Sequence, residues 1–125
     1  MSDEDDQLMI ELRTGIGAVY AMLIAVCAAL PIPVSLPTGV VAGVEASEAV
    51  HRLTELVREI PLPEEQLANL SAGATLWLCA TDMLGLINGI GFVEYRAMGG
   101  TAMLLMAQES LSDLAHWQDA QGGGS

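Results

Sequence analysis

The chain has no lysine, and its four arginines stand against sixteen acidic side chains, so its formal net charge is -12 over 125 residues. An acidic surface repels phosphate. Nucleic acid is therefore not an expected partner, and attraction to an anionic membrane is equally disfavoured. Aromatic side chains are scarce at 4%, so the interior has to be built from Leu, Val, Ile, Met and Ala, a palette that suits helices better than strands. The two cysteines, Cys27 and Cys79, form no C-x-x-C pair and have no histidine at metal spacing, which leaves zinc and thioredoxin-type chemistry unsupported. They read as buried free thiols. The start, MSDEDDQ, is acidic where a secretory n-region is basic, so a soluble protein is expected, cytoplasmic if expressed in bacteria. No Ser-His-Asp set, P-loop or dinucleotide fingerprint occurs, and the two GIG triplets at Gly15 and Gly89 follow no strand-like segment. Catalysis is not expected.

What the chain does have is apolar length. Hydrophobic residues make up 52%, and from Gly15 to Val44 no side chain carries a formal charge. The periodicity predicts a single all-α domain, an up-down-up-down antiparallel four-helix bundle over residues 1–120, with helices at about 2–30, 38–60, 63–88 and 92–119. Residues 121–125, QGGGS, read as a flexible linker or tag. Ser2 and the acids after it suit a helix start. Leu12, Ile16, Val19, Leu23, Val26 and Leu30 follow one face at alternating steps, until Pro31, Pro33 and Pro37 stop the helix. Thr38 is the expected cap of the second helix, whose inner line would be Val44, Val50, Leu53, Val57 and Ile60.

Pro63 and two glutamates suit the start of the third helix, with Leu67, Leu70, Ala74, Trp77, Thr81, Leu84 and Asn88 inward and Asn88–Gly91 as its C-cap. The fourth helix would bury Phe92, Tyr95, Gly99, Met103, Met106, Ser110, Leu114 and Trp117. Alternating helices of this kind gather most of the charge at one end of the bundle and leave the other nearly bare. Three fates suit a bare end. Membrane insertion is disfavoured, because helix 1 offers only about 16 apolar residues before Pro31, short of the roughly 20 that a span needs. Burial against another copy would make the chain a homo-oligomer, using outward residues such as Ala18, Ala21, Ala25, Ala28 and Leu86. The third fate is a cavity between the helices that holds a small-molecule ligand.

The polar residues on the inner lines are the candidates for such a site. Thr81 and Asn88 interrupt an apolar face, and Tyr20, Trp77, Tyr95 and Thr101 could add directional contacts, with Met103 as lining. His51 borders the inner line of helix 2 and could orient a ligand or hold a haem iron. Glu48-Ala-Val-His51 and Asp113-Leu-Ala-His116 have the i, i+3 spacing of di-iron bundles, but helix 3 supplies no Glu at their level, so solvated acids are expected instead. Asp82 falls opposite the inner face and is read as solvated.

With a single domain, Pro- or Gly-marked loops, an acidic capped start, a GGGS end and isolated polar residues in an apolar lumen, the chain resembles de novo designed four-helix bundles that bind small molecules. The resemblance is architectural and spans the whole chain. Mid-helix glycines, two cysteines and seven methionines depart from idealised design. It implies a drug-like or cofactor-like ligand in the lumen near the uncharged end, oriented by residues among those named.

Overall fold

Ser2 opens the first helix as expected: its Oγ accepts from the Asp5 amide at 3.1 Å. The computed structural model describes residues 2–39 and 42–123, with side chains for 2–39 and 44–122. Four helices follow in order: α1 (Asp3–Ala28), α2 (Ala42–Leu56), α3 (Glu64–Ile90) and α4 (Glu94–Gly123), with a single 3-10 turn, Val57–Glu59, closing α2. No strand occurs among the described residues. The chain is all-α, and the helices pack as a four-helix bundle.

Several boundaries move, each for a local reason. Thr38 does not cap α2: Gly39 sits at φ 85, outside helical space, and the helix is formed from Ala42 onward. Residues 40 and 41 lie outside the described set. Asn88 and Gly89 stay inside α3, which ends instead at Gly91, φ 108, whose amide donates to the Ile87 carbonyl at 3.0 Å. α4 runs on through Gly123, so the first part of the QGGGS tail is helical; residues 124 and 125 lie outside the described set.

The direction of the helices departs from simple alternation. The Gln118 side chain donates to the Val26 carbonyl at 3.0 Å, and a Cβ at Gly15 would lie 2.9 Å from Leu104 Cδ1. Both numbers rise together, so α1 and α4 run parallel. α3 opposes them: a Cβ at Gly73 would meet Leu111, whereas one at Gly100 would meet Leu12 and Met83. α2 is antiparallel to α3, since Ala46 lies near Trp77 and Thr81 while Val57 and Arg58 lie near Leu67 and Ser71. Three helices therefore point one way and α3 points back.

The proline-rich connection makes this arrangement. Tyr20 donates its hydroxyl to the Pro37 carbonyl, so by residue 37 the chain has returned to the height of residue 20. Extended, proline-biased backbone covers about 3.1 Å per residue, so residues 31–37 span roughly 19 Å; the return needs about 12 Å of helix rise. Leu36 is buried and Val34 half-buried along the way. The segment fills the place where α1 and α2 would meet; among the described residues those two helices make no close backbone approach, and α3 packs against all the others.

The core is aliphatic. On α1 the expected inner line is buried except for half-buried Ile16, and on α2 Val50, Leu53, Val57 and Ile60 are buried while Val44 is 75% exposed. Val44 stands in the first turn of α2, two residues before Ala46, the first described residue of that helix to be buried. On α4 the buried line is Ala97, Leu104, Ala107, Leu111 and Leu114, so the expected line was rotated; Tyr95 and Met106 lie outside. Apolar residues surround the first half of this helix, and period alone cannot choose among its faces.

Helix direction also redistributes the charge. The acidic start of α1 shares an end with the close of α3 and the start of α4, while Glu59, Glu64, Glu65 and Asp119 gather at the other. Both ends are acidic. The expected uncharged end is not formed: α1 carries no charge from Thr14 to Ala28, but α2 sets exposed Glu45, Glu48, Arg52 and Glu55 alongside the middle of the bundle. α1 and α3 are each long and apolar enough to cross a membrane by length and composition, with one-third of each apolar window (33%) buried inside the protein.

Candidate functional site

A cleft of about 260 Å³ opens between α1, the first turns of α2, and α3. Ile16, Gly17 and Tyr20 form one wall, Ala46 the other, and Trp77, Thr81 and Leu84 the floor. Small residues create the gap. A Cβ at Gly17 would meet nothing within 4 Å, and Ala46 reaches no further than its methyl. The rings of Tyr20 and Trp77 lie 5.2 Å apart at 33°, a tilted pair that fixes the aromatic surface of the cleft.

Each donor in the cleft is already used. The Trp77 indole donates to the Ile16 carbonyl at 2.9 Å, which also ties α3 to α1. The Thr81 hydroxyl donates back to the Trp77 carbonyl at 2.9 Å, and Tyr20 is held by Pro37. Burial, and secondly the nearby Cys27, raise the Tyr20 phenol above its ordinary value, so it stays neutral. What remains for a guest is ring surface, aliphatic wall and a few hydroxyl lone pairs. Such a site suits a neutral, apolar molecule. It offers a charged group no counter-ion.

Three of the eight expected site residues, Tyr20, Trp77 and Thr81, meet in this cleft. The others are scattered. His51 is exposed on α2, its Nδ1 3.4 Å from Glu55 Oε1, and it does not line the cleft. Asn88 is exposed in the last turn of α3, and Tyr95 is 70% exposed with the Arg96 guanidinium 5.7 Å above its ring. Met103 is half-buried and packs on the core. Thr101 lies across the molecule in a groove between α1 and α4, where its Oγ1 is buried without a hydrogen-bond partner. Sequence reasoning missed Ile16, Gly17, Ala46 and Leu84. It searched for polar groups on inner lines, whereas this site is made by missing side-chain volume.

Haem does not fit these residues. His51 faces away from the cleft, and the cleft is smaller than the roughly 300 to 1,000 Å³ usual even for drug-sized ligands. The two acid-x-x-His motifs sit on α2 and α4, which do not approach each other, and no three metal-ligating side chains converge among the described residues. No family model, curated protein or solved structure matches the chain.

Proposed function

We propose that this protein is a non-catalytic binder of a small, neutral, largely apolar molecule seated in the cleft between α1, α2 and α3. The observation that carries the reading is the lining itself: an aromatic floor whose polar atoms are satisfied from within, beside a glycine with open space above it. Filling such a cleft removes ring and aliphatic surface from water at about 25 cal/mol per Å² and leaves no polar group unpaired. At about 260 Å³ the cleft suits a compact guest of one or two rings better than a large cofactor.

Thermal unfolding with indole, naphthalene and similar neutral compounds tests this. A ligand present at 100 times its dissociation constant adds about 2.7 kcal/mol of stability, which appears as a raised midpoint. Gly17→Leu places a side chain in the open space and is expected to abolish the shift while the helical signal is kept. Equal shifts in the parent and in Gly17→Leu would remove the cleft as the binding site.

A further inference from the structure

On the far side of α1 from the cleft, the parallel packing of α1 and α4 leaves a second groove of about 360 Å³. Its floor is the contact of Gly15 with Leu104. Ile10 (55% exposed) and Leu105 (62%) stand on its edges, and Met98 (52%), two turns before Leu105 on the same face of α4, extends the apolar surface. Three large apolar side chains, each more than half exposed, beside one groove make a patch of the kind that marks a contact site. From Met98 to Glu109 the strip is about 17 Å long, roughly three helical turns.

Acids bracket this strip. The parallel direction brings Asp3, Glu4 and Asp6 of α1 to the same end as Glu94 of α4; Glu11 lies on the groove, and Glu109 and Asp113 follow beyond Leu105. Neither Arg13 nor Arg96 lines it. This charge pattern selects among occupants. A second copy paired antiparallel along α4 would set Glu94 against Glu109, and a parallel copy would set Glu109 against itself, in a chain of net charge -12. Anionic lipid is repelled for the same reason. An amphipathic helix with an apolar stripe of about three turns and Lys or Arg at both ends is complementary at every point. An exposed methionine on such a surface, here Met98, adapts to the shape of the partner.

We infer that the α1/α4 groove docks a basic amphipathic helix of a partner protein, its apolar stripe on Ile10, Met98 and Leu105 and its cationic ends on the flanking acids. The probe is a fluorescent synthetic peptide with a central leucine stripe and lysines at both ends, titrated by anisotropy into the full chain. Saturable 1:1 binding is expected, weakening as salt rises. The double variant Met98→Glu/Leu105→Glu, changed only at exposed positions, is expected to bind roughly tenfold or more weakly. Leu56→Glu, on α2, is expected to bind as the parent does. A peptide with glutamates in place of the lysines, or serines in place of the leucines, should not bind.

Several outcomes overturn the inference. They are absence of saturable binding, equal binding by the double variant, a dimer in light scattering that the double variant dissociates, and Leu105-dependent capture by neutral phosphatidylcholine vesicles. The dimer would assign the groove to a second copy, and the vesicle result to a lipid surface.

Discussion

On the side of α1 that faces α4, backbones come close enough for Leu104 to lie on Gly15 and Leu12 to reach Gly100, and α4 meets α3 through Leu111 against Gly73. On the side that faces α2, a proline-rich strap takes the place of a helix contact, and Gly17 looks into open space. The same residue type has opposite meanings there. Glycine where a leucine fills its missing Cβ is a packing residue, and glycine with nothing above it is the lip of a cleft. Tight closure on one side holds the fold and leaves the other side free to stay open.

The strongest way to break this comparison is to empty the closed side. Leu111→Ala removes a fully buried side chain and is expected to cost about 2–5 kcal/mol in chemical denaturation. On the open side, Tyr20→Phe removes only the hydrogen bond to Pro37, for about 0.5–1.5 kcal/mol, together with faster proteolysis of residues 31–39. Equal losses would mean that the strap holds the fold as firmly as the helix packing does.

Glycine substitutions sharpen the contrast. A Cβ at position 73 would lie 2.5 Å from Leu111 Cδ2 and 2.6 Å from its Cγ, and Leu111 is fully buried, so Gly73→Ala is expected to destabilise by about 1–2 kcal/mol even after its gain in helix propensity. Gly17→Ala meets nothing and should stabilise by about 0.5–1 kcal/mol. Midpoints that moved in the same direction would contradict the two-sided picture.

A further contrast concerns pH on the strap side. Burial pushes the Cys27 thiol from its ordinary 9.0 up to about 11. The folded chain therefore keeps a proton that the unfolded chain loses, so the contribution is whole below about 9 and disappears as pH rises towards 11. By pH 11 the loss is expected to reach at most roughly 2 kcal/mol. Denaturation curves of Cys27→Ala should be flatter over that window, while the raised Tyr20 phenol keeps some decline of the same sign above 10.0. A parent curve that is flat from pH 9 to 11 would place the thiol nearer to water than the structure does.

Four helices, the Ser2 cap of α1 and most of the α1, α2 and α3 inner lines were legible in the sequence. Ser2 followed by acids, and leucines and valines at three-four spacing, are local signals that need no partner. Trp77, Thr81 and Tyr20, which stand out as polar or aromatic residues on apolar lines, line the proposed cleft. His51, which borders an inner line by count, and Asn88 and Tyr95, which fall on one, are all exposed, because only the position of the neighbouring helix decides whether such a residue is covered. One signal for the crossover was present but unread. The 13 residues between Ala28 and Ala42, with three prolines, exceed the 2–5 residues of a tight connection between antiparallel helices.

By itself, then, the sequence determined that this protein is helical, acidic, aliphatic in its core and broken at its prolines, since propensity, capping and period act within a few residues of each other. Tertiary structure alone decided that α1 and α4 run parallel, that charge sits at both ends, and that one glycine is filled while another is open. Those properties depend on which distant segments share a height along the bundle, and that follows from the path of the strap, held at Tyr20 and Pro37, and not from any local pattern.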